Sequence, residues 1–331
     1  MRLLIYEPSY RRLRAAIDGL DRKVEPVLMD EAGGLTLAAA PVGVEDAAVE
    51  AAWANNETFF GPAARDFSIA LLKSPSLKWL QSGAAGFDHP MFGQLVQRGV
   101  RLTTSHGQAV GIADYVLWGV LDHLQRGPER RAAQAAAEWS RGLRFREIAG
   151  GEWLVIGFGA IGQGVGVRAR AFGARVVGVR RDQAPHPAAD LIATPADIPA
   201  LLPRTDVVVL SAPLTAETRH LVDAGFLAAM KPRSLLVNVG RGGLIDEAAL
   251  LAALDKGVPE HAILDVFETE PLPKDSPFWR HPRVTATSHL SGATEGQASR
   301  NDDVFLENLA RYLAGEPLIS EIPPADVLAA K

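Results

Sequence analysis

The sequence predicts an α/β protein of two domains, in which a doubly wound parallel sheet is inserted into a smaller α/β domain. A strand, a glycine-rich turn, a helix and a second strand follow one another over residues 152–181. Short buried-type strands separated by helices come next, which is typical of a doubly wound sheet. Strands and helices also alternate in residues 1–100, and a last helix follows the final strand. We therefore expect residues 1–101 and 291–331 to form the outer domain and residues 102–290 the inserted one.

Strand candidates and helical spacing alternate in the opening part of the chain. Residues 3–6, residues 49–54 and the run around Trp79 are apolar enough to be strands. Residues 10–20 and 62–73 have helical spacing, and a Ser-Pro pair that disfavours helix follows the second of these stretches. This alternation predicts a parallel α/β unit. Its sequence contains no glycine-rich nucleotide-binding motif.

Residues 110–125 are strongly apolar with helical spacing, and residues 128–141 form an alanine-rich stretch that is also helical in pattern. Beyond the glycine-rich unit, further strands are predicted at residues 207–210, 234–238, 262–265 and 284–287, and further helices at residues 247–256 and 297–314.

The glycine-rich unit predicts a dinucleotide site. Its first strand runs directly into the motif G-x-G-x-x-G, formed by Gly157, Phe158, Gly159, Ala160, Ile161 and Gly162. A helix is expected to about Phe172, with Gly173 ending it and residues 175–179 forming the second strand. In this context the first glycine permits a tight turn, the second lets a pyrophosphate approach, and the third lets the helix pack closely. The helix N-terminus then presents free N–H groups to the phosphates. The alternative is an ordinary glycine-rich turn between strand and helix.

Three polar residues, Arg241, Glu270 and His289, follow late strands of the predicted sheet. The carboxyl ends of parallel strands are where a doubly wound fold places its reactive groups. An arginine fork can hold a carboxylate or a keto oxygen, and a histidinium can protonate a carbonyl oxygen as hydride arrives. A carboxylate beside the histidine would orient the ring and keep its pKa high enough for it to be charged. Taken singly, each residue would more often be a surface charge, a solvated turn residue or a structural histidine.

With these residues the chain resembles the D-isomer-specific 2-hydroxyacid dehydrogenase family over nearly its whole length. The resemblance rests on residues 77–88 (LKWLQSGAAGFD), the glycine motif, Pro213 to Thr215 with Thr218, the Asn-Val-Gly-Arg-Gly loop of residues 238–242, Asp265 and Val266 with Glu270 and Pro271, and His289. It implies a Rossmann nucleotide domain inserted into a flavodoxin-like substrate domain, and it implies that the polar trio is catalytic. It also implies that Ala85 and Gly86 donate backbone N–H groups to the substrate carboxylate, and that Arg241 and His289 contact the substrate.

The glycine motif, the following strand end and the resemblance together predict a set of cofactor contacts. The expected residues are Gly157, Gly159, Ala160, Ile161, Gly162, Arg180, Arg181, Ser211, Ala212, Pro213, Thr218, Val239, Gly240, Arg241, Asp265, His289 and Gly292. Val239 and Asp265 are the expected nicotinamide contacts. The family is usually a homodimer joined through the nucleotide domain, which suits the apolar helix of residues 110–125. Burial of that helix in the core is the alternative.

Three features depart from the family pattern. The acid that usually ends the second strand of the glycine-rich unit is replaced by Arg180, followed by Arg181. An arginine there can hold the 2′-phosphate of NADP, so NADPH is the expected cofactor and NAD a possible one. The alternative is that both arginines are solvated and that Asp182 turns back to the ribose. The second feature is Ser288, which precedes the histidine where proline is usual. The third is a pair of glycines, Gly164 and Gly166, inside the helix that follows the glycine motif. Close contact between this helix and the sheet is the expected reason for them.

Composition excludes several functional classes. The chain has 331 residues, enough for two domains, and it is 47% hydrophobic and 22% charged. Its net charge of −5 favours neither nucleic acid nor an anionic membrane as a partner. Cysteine is absent, which excludes disulfides and thiolate chemistry and fits a cytoplasmic location. The first residues are too short an apolar run for a signal peptide, and no stretch approaches a membrane span. No metal ligand set is expected.

The resemblance implies a cytoplasmic reductase of small 2-keto acids, of the glyoxylate or hydroxypyruvate kind, in which hydride reaches C2 and His289 protonates the oxygen. Alternatives are a dehydrogenase of the same family with a larger substrate and a dinucleotide-sensing corepressor. A phosphoglycerate dehydrogenase with a regulatory tail is disfavoured, because the sequence ends soon after the last expected helix. A formate-dehydrogenase-like enzyme is disfavoured because that branch pairs its histidine with glutamine, whereas Glu270 stands here. The wall of the substrate pocket is expected near Phe60, His106 and Trp279.

Overall fold

The computed structural model describes residues 1–20, 23–139 and 141–329. The chain divides into two compact units, Met1–Gln108 together with Glu295–Lys331, and Ala109–Thr294. The domain boundaries expected from the sequence, after residues 101 and 290, lie a few residues earlier than these divisions. Both units are α/β sandwiches with a largely parallel sheet, so the predicted fold class is confirmed.

The strands in chain order are β1 Arg2–Tyr6, β2 Glu25–Met29, β3 Leu35–Leu37, β4 Ala40–Pro41, β5 Ala51–Ala54, β6 Trp79–Ser82, β7 Arg101–Thr103, β8 Glu152–Ile156, β9 Arg175–Val179, β10 Leu191–Ala193, β11 Val207–Leu210, β12 Leu235–Asn238, β13 His261–Leu264 and β14 Val284–Ala286. The α-helices are α1 Glu7–Asp18, α2 Asn56–Phe60, α3 Ala64–Lys73, α4 Pro90–Gln97, α5 Ala109–Leu124, α6 Gly127–Ala135, α7 Ala160–Ala171, α8 Ile198–Leu201, α9 Ala224–Ala229, α10 Glu247–Lys256, α11 Gln297–Ala314 and α12 Pro324–Ala329. None of the helices described combines the length and the apolar character that a bilayer crossing requires.

The sheet of the first unit has the strand order β4-β3-β2-β1-β5-β6-β7. Five neighbouring strands of this sheet are parallel, namely β2, β1, β5, β6 and β7. They follow the flavodoxin order, in which the first strand lies between the second and the third. β3 and β4 extend the β2 edge antiparallel. The last long helix, α11, belongs to this unit, and its Phe305 stacks on Trp53 with ring centroids 4.8 Å apart.

The sheet of the second unit has the order β10-β9-β8-β11-β12-β13-β14, and all its pairings are parallel. The six strands from β10 to β13 in this order follow the Rossmann order 3-2-1-4-5-6. The order in which successive strands are added therefore reverses between β8 and β11, although the strands themselves stay parallel. The central strands are covered on both faces, which is why β11 is a continuous apolar run and is buried at every position. Ligands of such sheets bind at the carboxyl ends of the strands, beside the reversal point.

Several predicted helix limits need correction. The first helix begins at Glu7 instead of residue 10, because Pro8 fits the first helical turn, where no backbone N–H donor is needed. The helix expected over residues 128–141 ends at Ala135, since Ala137 has the left-handed φ of 53°. Residue 140 lies outside the described residues. The short elements β2, β3, β4, β7, β10, α2, α4, α8, α9 and α12 were not anticipated.

Candidate active site

The glycine turn between β8 and α7 is shaped by close backbone contacts. Gly157 has a φ of 93°, and a Cβ atom there would overlap the backbone of Ser211 and Ala212. A Cβ on Gly162 would lie 2.5 Å from the carbonyl oxygen of Gly157, so only glycine lets the helix approach the turn. At Gly159, in contrast, a Cβ would have no described atom within 4 Å. The turn is therefore packed on one side and open at its second glycine, as a pyrophosphate requires.

The two extra glycines of α7 have a packing role that differs from the expected one. A Cβ on Gly164 would lie 3.2 Å from the Cβ of Ala113 on α5. A Cβ on Gly166 would overlap the carbonyl oxygen of Ala188, in the loop before β10. The expected helix–sheet contact is thus wrong for both residues: one allows α5 and α7 to pack together, and the other admits a loop.

The loop after β9 begins next to the glycine turn, because the carbonyl of Val179 accepts hydrogen bonds from the N–H groups of Gly157 (3.1 Å) and Phe158 (3.0 Å). Arg180 is half-buried there, and its guanidinium donates from Nε to the carbonyl of Asp182 at 2.8 Å. Its Nη2 donates to the carbonyl of residue 184 at 2.5 Å, while the carboxylate of Asp182 accepts from the N–H of the same residue. The carboxylate of Asp182 therefore closes its own loop. Arg181 is exposed beside them.

The loop after β11 adjoins the same turn. The hydroxyl of Ser211 donates to the carbonyl of Gly157 at 2.8 Å, and Ala212 lies against both Gly157 and Gly240. Thr218 donates to the carbonyl of Pro213 at 2.7 Å and so folds the loop back on itself. These residues, all expected as cofactor contacts, are brought together at the carboxyl end of the sheet.

Arg241 lies in the loop after β12, which a buried amide holds in place. Asn238 donates from Nδ2 to the carbonyl of Arg241 at 2.9 Å and accepts from the N–H of Gly240 at 3.1 Å. Gly242 follows where a Cβ would overlap the backbone of Phe267. The loop thus packs against the segment that leads to Glu270.

Glu270 and His289 form a direct pair. Oε2 of Glu270 lies 2.7 Å from Nδ1 of His289, and its Oε1 accepts from the N–H of Phe267 at 2.9 Å. The pKa of His289 is raised, first by the hydrogen bond with Glu270 and also by the charge of that carboxylate, although partial burial and the charge of Arg241 act in the opposite direction. Burial favours protonation of Glu270, but the hydrogen bonds from His289 and Phe267 outweigh it, so the pKa of Glu270 is lowered. Nδ1 is committed to the carboxylate, and the side chain of His289 is half-exposed, so Nε2 is the ring nitrogen left for a ligand.

Asp265, expected as a nicotinamide contact, has a structural role that the sequence did not indicate. Its carboxylate is fully buried. Oδ1 accepts from the hydroxyl of Thr287 at 2.6 Å and from the N–H of Leu290 at 3.0 Å, and Oδ2 accepts from the N–H of Ser291 at 2.9 Å. The three donors flank His289, so Asp265 holds the loop that carries this imidazole.

In the first unit, Ala85 and Gly86 lie in the loop after β6. Asn301 of α11 supports this loop, donating to the carbonyl of Gly83 at 3.1 Å and accepting from the hydroxyl of Ser105 at 2.6 Å. Asn301 is buried and lies some 200 positions from the loop along the chain, so no local pattern indicates its role. Of the expected wall residues, Phe60 is 87% exposed in the first unit.

The other two expected wall residues make local contacts. His106 is 2.7 Å from the hydroxyl of Ser320 within the first unit, and Trp279 donates from its indole to the carbonyl of Pro273 in the second unit.

Comparison with known proteins agrees with this geometry. The family model described as D-isomer specific 2-hydroxyacid dehydrogenase, NAD binding domain, matches residues 117–291. A glyoxylate/hydroxypyruvate reductase B from Pectobacterium atrosepticum is 34% identical over 269 residues, which cover 77% of this chain and 81% of that protein. A D-3-phosphoglycerate dehydrogenase from Methanocaldococcus jannaschii is 33% identical over 74% of this chain, which spans only about half of that enzyme (47%).

A solved structure supports the same assignment. The NADPH-dependent glyoxylate/hydroxypyruvate reductase from Sinorhizobium meliloti, in complex with NADP and sulfate, is 27% identical and has a TM-score of 0.77, covering 100% of this chain and 99% of that one. The family model covers more than half of this chain, and the reductase from P. atrosepticum aligns over most of both proteins. This chain therefore belongs to the D-isomer specific 2-hydroxyacid dehydrogenase family.

Proposed function

We propose that this protein reduces a small 2-keto acid of the glyoxylate or hydroxypyruvate type to the D-2-hydroxy acid, with NADPH as the preferred hydride donor. The observation that carries the proposal is the paired imidazole and carboxylate of His289 and Glu270, with Arg241 close enough to influence the pKa of both. The names of relatives that reduce glyoxylate and hydroxypyruvate, and a neighbour that contains NADP, support it.

The residues of the glycine turn fit a dinucleotide, because the space beside Gly159 is one that a side chain would fill. When bound, the reduced nicotinamide supplies the hydride that reaches C2 of the keto acid. His289 donates the proton on Nε2 to the carbonyl oxygen as negative charge develops there. Glu270 keeps the ring protonated and oriented, and Arg241 holds the carboxylate or keto oxygen of the substrate. In the first unit, Ala85 and Gly86 are proposed to donate N–H groups to the substrate carboxylate.

Replacement of Glu270 by glutamine should move the pH profile of keto-acid reduction. Reduction needs protonated His289, and the hydrogen bond with the Glu270 carboxylate raises the pKa of that imidazole. Glutamine removes the charge, so the pKa of His289 falls and the neutral ring, which cannot donate, becomes dominant at a lower pH. The decline of kcat/KM with rising pH should therefore begin at a lower pH in the variant than in the parent.

Glu268→Gln is the matched control. Glu268 is two positions from Glu270 along the chain, but its carboxylate lies 2.5 Å from the ring of a different histidine, His220. This control should keep the parent profile. A Glu270→Gln variant whose kcat/KM profile coincides with that of the parent would assign Glu270 a purely structural role.

The proposed reaction is tested directly with a panel of 2-keto acids of increasing size, assayed with NADPH and with NADH. Glyoxylate and hydroxypyruvate should be reduced with the highest kcat/KM. A maximum at a longer keto acid would favour a family member with a larger substrate. Binding of NADPH without turnover of any keto acid would reject the enzyme proposal and favour a dinucleotide-sensing corepressor.

We also propose a homodimer joined through the second unit, in the cytoplasm. One face of α5 is buried in the core of its unit, as at Val116, while Trp118 remains 47% exposed on the same helix. Beyond α6, Trp139 is 86% exposed and Phe145 is 43% exposed. Large exposed apolar side chains such as these are a feature of association surfaces. Light scattering should give twice the mass of the 35.4 kDa chain, and a monomer at micromolar concentration would contradict the proposal.

A further inference from the structure

The backbone of the catalytic loop is held in an unfavourable conformation. His289 has a φ of 55°, in the left-handed region that only a few per cent of residues other than glycine adopt. Its N–H donates to the carbonyl of Asp265 at 2.8 Å. Since such a conformation persists only where surrounding contacts impose it, the contacts around this loop determine where the imidazole stands.

The buried carboxylate of Asp265 supplies most of these contacts, as described above. Water cannot orient this carboxylate, so its protein donors must do so. The two backbone donors, Leu290 and Ser291, belong to the loop that Asp265 itself holds. The third donor is the hydroxyl of Thr287, which lies 2.6 Å from Oδ1 of Asp265. Thr287 directly follows strand β14 and precedes His289.

A second hydroxyl extends this contact to helix α5. The phenol oxygen of Tyr115 lies 2.7 Å from the hydroxyl oxygen of Thr287. A threonine hydroxyl has a single proton, and that proton goes to the carboxylate of Asp265, so Tyr115 must be the donor to Thr287. Burial raises the pKa of Tyr115 to about 12, and the phenol therefore keeps its proton at neutral pH. The donors form a chain that runs from Tyr115 through Thr287 to the carboxylate, and each bond polarises the next.

We propose that Tyr115 and Thr287 are positioning residues for the proton donor. They orient the carboxylate of Asp265, which holds the loop that places His289 against Glu270. The role of His289 in this inference rests on the proposed function. Nothing in the sequence links Thr287 to a tyrosine 172 positions away.

Thr287→Val tests the chain, because valine keeps the branched shape and removes the hydroxyl. The carboxylate of Asp265 then loses a charge-assisted hydrogen bond, the loop relaxes, and the contact between His289 and Glu270 weakens. We expect kcat for reduction to fall about 10-fold, as for the loss of one hydrogen bond to a charged group. The alkaline limb of the pH profile should also move to lower pH. Thr287→Ser, which keeps the hydroxyl, should restore both properties.

Thr285→Val is the control, on strand β14, which directly precedes Thr287. The hydroxyl of Thr285 lies 2.9 Å from Nε2 of His261 and does not reach the carboxylate of Asp265. The control should keep the parent kcat and pH profile, whatever its effect on thermal stability.

Tyr115→Phe tests whether the phenol and Thr287 act as one unit. The single variant should lower kcat less than Thr287→Val does, because the hydroxyl of Thr287 remains. The double variant should have a kcat within about 2-fold of that of Thr287→Val alone, since residues in one hydrogen-bond network are not additive. Multiplied effects of the two substitutions would show that Tyr115 acts elsewhere and would overturn its part in the chain.

A measurement without turnover separates this inference from the proposed function. The pKa of the His289 imidazole can be followed by NMR in protein labelled at histidine, in the parent, in Thr287→Val and in Thr287→Ser. The inference expects a lower pKa in the valine variant and the parent value in the serine variant. It is overturned if the valine variant keeps the parent pKa, or if valine and serine lower it equally. If the parent reduces no keto acid, the proposed function fails while this titration still decides the inference.

Discussion

Replacement of His289 by alanine should lower kcat for keto-acid reduction by roughly 100- to 10,000-fold, the usual contribution of a general acid. The physical reason is the setting of this imidazole. Nδ1 is bound to Glu270 at 2.7 Å, the pKa of the ring is raised by that hydrogen bond, and half of the side chain is exposed. Affinity for NADPH should be nearly unchanged, because His289 is one of many expected cofactor contacts and those at the glycine turn and its neighbouring loops are untouched.

His220→Ala is the control for this variant, because His220 also pairs with a carboxylate, that of Glu268, in the same unit. Single-turnover kinetics and NADPH titration would be measured for both variants. An alanine variant at position 289 that retained near-normal turnover would remove the assignment of His289 as the proton donor.

The second large effect is expected at Arg180. The parent should prefer NADPH over NADH, and Arg180→Asp should lose most of a preference of roughly 10- to 150-fold, the value of one hydrogen bond to a charged group. Its loop starts at the glycine turn, and two backbone carbonyls already hold the guanidinium. An arginine constrained in this way loses little side-chain entropy when it binds a phosphate. An aspartate would repel the phosphate and accept bonds from a ribose 2′-OH instead.

The matched control is Arg175→Asp, which makes the same charge change at the opposite end of β9. Its ratio of kcat/KM values for the two cofactors should equal that of the parent. A parent that uses NADH better than NADPH would show that Arg180 does not read the phosphate. Retained preference in Arg180→Asp would contradict the prediction equally.

The parts of the fold that could be predicted are those in which local pattern and burial agree. A parallel strand covered on both faces is a continuous apolar run, so β9 and β11 were recognisable with their observed limits. The antiparallel edge formed by β3 and β4 was not, because short, partly exposed strands carry no such signal. Their pairing depends on β2, in which only Val27 and Met29 are buried.

The same distinction holds in the active site. Arg241, Glu270 and His289 could be proposed because each follows a strand of one sheet, and the strand-end rule brings them together. The supporting contacts could not be proposed in that way. Asp265 reads as another strand end, and its burial under the loop of His289 depends on the three-dimensional path of that loop. Tyr115 reads as one more residue of an apolar helix.

The packing of α11 on the first unit has a consequence for how the chain is made. Trp53 and Trp79 are fully buried, and they stack on Phe305 and Tyr312, which are translated only after the whole second unit. The second unit, being one continuous segment, can close its sheet while the ribosome is still working. The indole rings of Trp53 and Trp79 in the first unit, in contrast, stay uncovered until α11 has been synthesised. Nascent chains released before α11 is synthesised should therefore show the red-shifted emission of solvent-exposed tryptophan. They should also tend to aggregate through the exposed apolar surface.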